Sequence, residues 1–244
     1  MESPEPPAAR PGVVVAWAVG GFVLGQAAAT VLVGLAAGVA GYPGGLTAVA
    51  HAARNPWWAS TASLGGLWCG FATAIVAARR AGGLQPWPHQ WRPRVSDAWY
   101  LVLGVVAQFA VIVAYRPFHV RHLGRPATRL FGATSGASFV LLALLTTVGA
   151  PLIEEWFFRG VLLRGLRDLL GRLRGRVAAS LAVVVSAVAF ALAHGEPTQF
   201  AGLAALGVVL AVLALRTRRL VPSALTHLSF NAVAVGALVA QRIH

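Results

Sequence analysis

Carboxylates are scarce in this sequence, and two of the seven acidic residues stand side by side in an apolar region. Glu154 and Glu155 lie about one turn into a predicted helix that begins at Pro151 and runs to Leu170, since proline is well tolerated in a first turn. The other acidic residues lie in the N-terminal tail or near predicted loops. A carboxylate inside an apolar membrane helix is costly, so the pair is a candidate functional site.

The spacing to Arg159 gives the two glutamates different roles. On a helix, Glu155 and Arg159 are four residues apart and share one face, so they can form an ion pair. Glu154 is rotated from Glu155 by about 100° and points elsewhere. One carboxylate can therefore be structural while the other stays free for chemistry. The alternative is that both glutamates pair with Arg159 and only hold helices together.

Two histidine pairs follow at helical spacing. Phe190 and His194 share a face of one predicted helix, and His227 and Asn231 share a face of the last one. A lone histidine in a membrane helix is more often a packing or hydrogen-bonding group than a catalyst. A catalytic role for these histidines is therefore supported only if they lie close to the glutamates.

Position supports one of the histidines. If residues 151–170 and 177–194 form a hairpin centred near 174, Glu154 is 20 residues before the centre and His194 is 20 residues after it. At about 1.5 Å per residue, the two side chains lie at nearly the same depth. His227 follows the predicted turn at 216–219 closely, so straight helices leave it about 10 Å away in depth. Helix tilt, or a break near Pro222, has to close that gap.

The elements that position these residues are membrane helices. The chain is 57% hydrophobic and 11% charged, whereas soluble domains carry about 25% charged residues. Its charge-free runs are near or above the roughly 17–25 residues that a spanning helix needs, and they are 13–40, 55–78, 98–115, 130–153, 177–193, 200–215 and 220–240. Their continuity argues against a barrel of short alternating strands. The sequence therefore predicts an all-α, polytopic membrane helical bundle of about seven or eight helices.

The strong positive charge is explained by the loops. The net charge is +13, and every strong base is an arginine. The arginines cluster between the apolar runs, which is typical of loops on the cytoplasmic side that contact anionic lipid rather than of nucleic-acid binding. Simple alternation of spans predicts that the basic segments 79–94, 159–176 and 216–219 share one side and that 116–129 falls on the other.

The three motifs, taken in order, resemble a known family. Glu-Glu-x-x-x-Arg-Gly from Glu154, Phe-x-x-x-His ending at His194 and His-x-x-x-Asn from His227 resemble the CPBP intramembrane proteases. That family includes type II CAAX prenyl endopeptidases and bacterial relatives linked to bacteriocin processing or self-immunity. The similar stretch covers about residues 150–234, and Ala150-Pro151 matches the usual lead-in. The domain prediction is a polar tail at 1–12, N-terminal membrane helices at 13–135 and a CAAX-protease-like catalytic core at 136–244.

The resemblance implies hydrolysis of a peptide bond within or beside the bilayer. By it, Glu154 matches the essential glutamate, and Glu155 and Arg159 match its support. His194 matches the histidine of the second motif, and His227 and Asn231 match the third. The implied partners are membrane lipids and a membrane-associated peptide or protein, prenylated in the namesake reaction. The implied location is the plasma membrane of a prokaryote, as a multi-pass protein.

Two chemistries fit these residues. In the first, Glu154 with His194 activates a water as a general base, and His227 with Asn231 donates hydrogen bonds to the oxyanion. In the second, His194, His227 and Glu154 bind a divalent metal such as zinc and leave one position open for water. The first is favoured, because Glu154 cannot easily be both ligand and base.

Other functions account for fewer of the residues. No His-Glu-x-x-His motif is present, and Ser135 and Ser138 lack the Gly-x-Ser-Gly spacing of a rhomboid-like serine site. A non-catalytic interaction or bacteriocin-immunity protein on the same fold remains the alternative, although all matched motif residues are present. A transporter that uses the buried glutamates is less favoured, because the chain shows no convincing internal repeat.

Overall fold

The protein is a bundle of membrane-spanning helices. The computed structural model describes residues 9–120 and 123–243, and within these ranges the chain forms nine helices and no strand. The helices are α1 Pro11–Val39, α2 Gly45–His51, α3 Trp57–Arg80, α4 Trp99–Tyr115, α5 Arg125–Phe131, α6 Gly136–Leu169, α7 Gly175–Ala193, α8 Phe200–Thr217 and α9 Val221–Ile243. Seven of them, all except the short α2 and α5, belong to segments long and apolar enough to cross a membrane. The prediction of an all-α, multi-pass membrane bundle is confirmed.

Glycines allow α1 and α3 to pack backbone to backbone. A Cβ added at Gly70 would collide with the Gly21 carbonyl oxygen and the Gly25 backbone, and one added at Gly66 would collide with the Ala29 backbone. Small residues at four-residue spacing permit this close approach in membrane helices, where packing rather than the hydrophobic effect holds helices together. The α1–α3 pair forms a wall against which α6 packs.

The long helix α6 carries both glutamates and contains two π-helical segments. The first covers Leu145–Gly149, and the second covers Trp156–Leu162. The prediction that Pro151 starts a helix is wrong, because α6 begins at Gly136 and passes through the proline without ending. The helix continues through the proline with a π segment directly before it, in which the Ala150 N–H donates to the Leu145 carbonyl.

The hairpin of α6 and α7 has the predicted register. The rings of Phe158 and Phe190 meet edge to face with their centroids 5.3 Å apart. The Ser186 hydroxyl donates to the Phe158 carbonyl at 3.3 Å. The two phenylalanines are equally far from position 174, so Glu154 and His194, each one turn further on, lie at a similar level.

Three basic segments meet at one end of the bundle, which confirms that they share a side. Arg164 donates to the Gln85 carbonyl at 2.5 Å, and the Leu220 N–H donates to the Gln90 carbonyl at 2.8 Å. Arg219 forms a buried ion pair with Asp97. Which face of the membrane this end occupies stays a prediction from the charge count.

Candidate active site

Glu155, Arg159 and His227 form a buried, charged cluster. Arg159 Nη1 lies 3.0 Å from Glu155 Oε1, so the ion pair predicted between residues four apart is confirmed. His227 Nδ1 lies 3.1 Å from the same carboxylate oxygen. Glu155 and Arg159 are both fully buried, and His227 is 2% exposed. A buried charge must be paired, and Glu155 is the shared partner of Arg159 and His227.

Aromatic rings and a distant carbonyl complete the surroundings of Arg159. Its guanidinium lies 4.5 Å from the Phe190 ring centroid and 5.7 Å from that of Phe158. Its Nη2 donates to the Gly207 carbonyl on α8 at 3.3 Å. Planar cations stack on aromatic faces with a gain that grows when water is excluded. Arg159 therefore links α6, α7 and α8 at the level of the candidate site.

Glu154 is buried yet has no partner among the described residues. It is 7% exposed, and its Oε2 atom accepts no hydrogen bond. No ion pair reaches it, because Arg159 and His227 both contact Glu155. Buried polar atoms are rarely left unpaired, and those that are deserve a functional explanation. The sequence-based division between a structural and a free glutamate is thus present in the structure.

His194 directly follows the last residue of α7, and its Nε2 atom is free to accept a hydrogen bond. Its Nδ1 lies 2.8 Å from the Phe190 carbonyl oxygen. A carbonyl can only accept, so Nδ1 carries the hydrogen and Nε2 of the neutral ring holds a lone pair. The His194 ring packs edge to face on Phe190 at 4.7 Å, and the His227 ring packs on Phe190 at 5.4 Å. One phenylalanine therefore separates and orients both histidines.

The depth gap predicted for His227 is closed without a break in α9. Pro222 sits in the first turn of α9, which runs unbroken from Val221. The turn before α9 lies beside Gly160, nine residues before the end of α6, because a Cβ on Gly160 would come within 3.4 Å of Leu220. The 34-residue α6 extends well past this turn, since its length of about 50 Å exceeds a membrane core of about 30 Å. This overhang, rather than a break near Pro222, brings His227 into direct contact with Glu155.

Asn231 faces a different part of α6 from His227. Its Nδ2 donates to the Thr146 carbonyl oxygen at 2.9 Å, within the first π segment. Glu154 and His194 are joined neither by a hydrogen bond nor by an ion pair. Of the six predicted site residues, the structure thus brings Glu155, Arg159 and His227 into direct contact. Glu154, His194 and Asn231 lie around that cluster.

The donors do not form a metal site in this arrangement. Among the described residues, no group of three or more histidine, cysteine, aspartate or glutamate side chains is placed to hold a metal ion. The Glu155 carboxylate is already shared by Arg159 and His227. A catalytic zinc ion needs three converging protein ligands.

Sequence reasoning missed the buried pair of Asp97 and Arg219. Arg219 also donates to the Arg92 carbonyl at 2.5 Å, so the pair fixes the loop before α4 to the start of the helix that carries His227. The sequence did offer one indication of this pair: Asp97 is one of only seven acidic residues in the chain. Ser135 and Ser138 have a local role instead: Ser138 Oγ accepts from the Ser135 N–H and donates to the Ser135 carbonyl at the start of α6.

Comparison with known proteins adds one match. Residues 136–233 match the family model described as Type II CAAX prenyl endopeptidase Rce1-like. The matched segment begins with α6 and includes every predicted site residue from Glu154 to Asn231. Neither the curated proteins nor the solved structures gave a match.

Proposed function

We propose, from the premise that residues 136–233 form an Rce1-like type II CAAX prenyl endopeptidase domain, that the protein is an intramembrane endopeptidase. Its substrate is a membrane-associated protein or peptide, and its nucleophile is a water activated by Glu154 and His194. The proposal is carried by a buried, unpartnered Glu154 and by a histidine with a free Nε2, each one turn beyond the contact of Phe158 with Phe190.

Glu154 is the general base in this mechanism. A water between Glu154 and His194 gives one proton to the carboxylate as its oxygen forms a bond to the scissile carbonyl carbon. The C–N bond then breaks, and Glu154 returns the proton to the leaving amine. His194 accepts a hydrogen bond from the water at Nε2 and so fixes its direction. Neither residue changes its net protonation over one turnover.

His227 stabilises the oxyanion in this mechanism. Because Nδ1 of His227 donates to Glu155, Nε2 can donate only when the ring carries both protons. The mechanism requires that state, and the adjacent Glu155 carboxylate supplies its counter-charge. A fixed donor in a dry site is the most effective way to stabilise a developing negative charge.

Glu155 and Arg159 act as positioning residues. Arg159 binds the oxygen that His227 also uses, and its stacking on Phe190 fixes the guanidinium. The carboxylate therefore cannot rotate away from the histidine. Arg159 also places a positive charge beside the two adjacent glutamates. Without it, the negative charge of Glu154 would have no counter-charge beyond the Glu155–His227 pair.

The test is cleavage by the detergent-purified protein of membrane-tethered peptides, including prenylated peptides with a CAAX terminus. Wild type is compared with Glu154→Gln and His194→Ala, and with Glu196→Gln as a control for removal of a nearby carboxylate. We expect cleavage by wild type and Glu196→Gln, and a loss of about 10²-fold or more in the other two. Equal cleavage by Glu154→Gln and wild type would sink the mechanism. Specific capture of one peptide without cleavage would favour the non-catalytic alternative.

A further inference from the structure

The helix that carries the glutamates has a gap in its backbone hydrogen bonding. The Ala150 N–H donates to Leu145 O, five residues back, and not to Thr146 O. Continued at the same spacing, the next donor would be residue 151, but Pro151 has no N–H. The carbonyl of Thr146 is therefore left without a donor from its own helix.

Asn231 on α9 supplies the missing donor. Its Nδ2 lies 2.9 Å from Thr146 O, and the asparagine is partly buried between the two helices. A carbonyl buried in a membrane protein must find a partner within the protein, because lipid offers none. The asparagine stands one turn after His227, so a single face of α9 both pairs with Glu155 and closes the gap in α6.

The gap lies where it can set the direction of the catalytic carboxylates. A π turn holds one residue more than an α turn, so it rotates everything after it by about 100° relative to an uninterrupted helix. Glu154 and Glu155 follow Pro151 by three and four residues. Their facing toward α7 and α9 thus depends on this π segment persisting.

We propose that Asn231 is a positioning residue that acts through the backbone: it stabilises the π turn opposite Pro151 and thereby aims Glu154 and Glu155. In the first of the two chemistries considered from the sequence, Asn231 donates to the reaction oxyanion instead. The catalytic part of this inference rests on the proposed endopeptidase function, whereas the coupling of Asn231 to Pro151 does not.

The coupling is tested by thermal unfolding in detergent of wild type, Asn231→Ala, Pro151→Ala and the double variant. Pro151→Ala restores an N–H that can reach Thr146 O, so it makes the asparagine dispensable. We expect Asn231→Ala to lower the unfolding midpoint by about 3–10 °C in the wild-type background and by less than half of that beside Pro151→Ala. Equal shifts in both backgrounds overturn the proposal.

Two further variants keep the test decisive. Ser229→Ala removes a hydroxyl that bonds back to the Leu225 carbonyl of its own helix, so its effect should be the same in both backgrounds. Asn231→Asp keeps the shape but sets a carboxylate oxygen against the Thr146 carbonyl. We expect it to lower the midpoint further than Asn231→Ala, and a smaller fall overturns the proposal even if Pro151→Ala does not fold.

Peptide cleavage then separates positioning from oxyanion contact. A positioning role predicts that Asn231→Ala lowers kcat by about 10–100-fold and that Pro151→Ala restores part of the loss. Direct contact with the oxyanion predicts the same loss in both backgrounds, which overturns the proposal. If wild type cleaves no peptide, the proposed function fails, and the unfolding series still decides whether Asn231 is coupled to Pro151.

Discussion

His227 Nδ1 and Arg159 Nη1 approach the same oxygen of Glu155, at 3.1 and 3.0 Å. One buried carboxylate oxygen therefore joins a residue four positions away to a residue on the last helix. The contact connects the Glu155–Arg159 ion pair of α6 to His227 on α9, the residue that the proposed mechanism places at the oxyanion.

Removal of one partner of this cluster should cost more than removal of both. Glu155→Gln leaves Arg159 as a buried cation without its counter-charge, and such single losses cost about 3–5 kcal/mol. We expect Glu155→Gln to lower thermal stability more than the double variant Glu155→Gln/Arg159→Met. Unfolding midpoints in detergent measure the difference. A double variant less stable than Glu155→Gln would show that the cluster is not held by charge pairing.

Loss of His227 should affect the rate more than the fold. We expect His227→Ala to lower kcat by about 10²–10³-fold, which is the usual effect of removing an oxyanion donor. His51→Ala is the control, because His51 is exposed and its ring bonds to the Thr47 carbonyl of its own helix. Single-turnover cleavage gives the rates. A His227→Ala protein that cuts at the wild-type rate contradicts the assigned role.

Phe190 should matter for both histidines. Its ring contacts His194, His227, Phe158 and the Arg159 guanidinium and is fully buried. Phe190→Ala removes a buried aromatic side chain, for which losses of about 3–5 kcal/mol are typical. We expect lower thermal stability and, in the fraction that stays folded, slower cleavage. Phe109→Ala is the matched control, since Phe109 is 55% exposed on the lipid-facing surface of α4, and its stability should stay near that of wild type.

Alanine substitution of two glycines in α3 should change the unfolding midpoint by very different amounts. A Cβ at Gly70 collides with the backbone of α1, whereas a Cβ at Gly65 meets nothing within 4 Å. We expect Gly70→Ala to separate α1 from α3 and lower the unfolding midpoint. Gly65→Ala should be neutral or stabilising, because alanine favours a helix over glycine by about 1 kcal/mol. Similar midpoints for both variants would mean that the two helices are not in backbone contact.

Chelation should leave the activity unchanged. The described histidines and acids form no three-donor group, and the proposed base is a carboxylate. Cleavage is measured before and after prolonged treatment with a strong chelator and again after zinc is restored. Loss of activity that zinc restores would show that His194, His227 and Glu154 converge on a metal during catalysis, as in the second chemistry considered from the sequence.

The sequence by itself determined the features that depend on neighbours along the chain. Hydropathy identified the spans, four-residue spacing identified the Glu155–Arg159 pair, and counting from position 174 set Glu154 and His194 at one level. These relations follow from a fixed rise and rotation per residue, so they need no knowledge of how helices are arranged.

The tertiary structure decided which helices meet and how they are rotated. The contact of His227 with Glu155 spans 72 positions and depends on the tilt and overhang of α6. The π segments around Pro151 changed where the helix began and where its carboxylates point. Neither tilt nor an extra residue in one turn alters the local hydrophobic pattern, because lipid accepts an apolar face in any orientation. Only packing against α7, α8 and α9 fixes them.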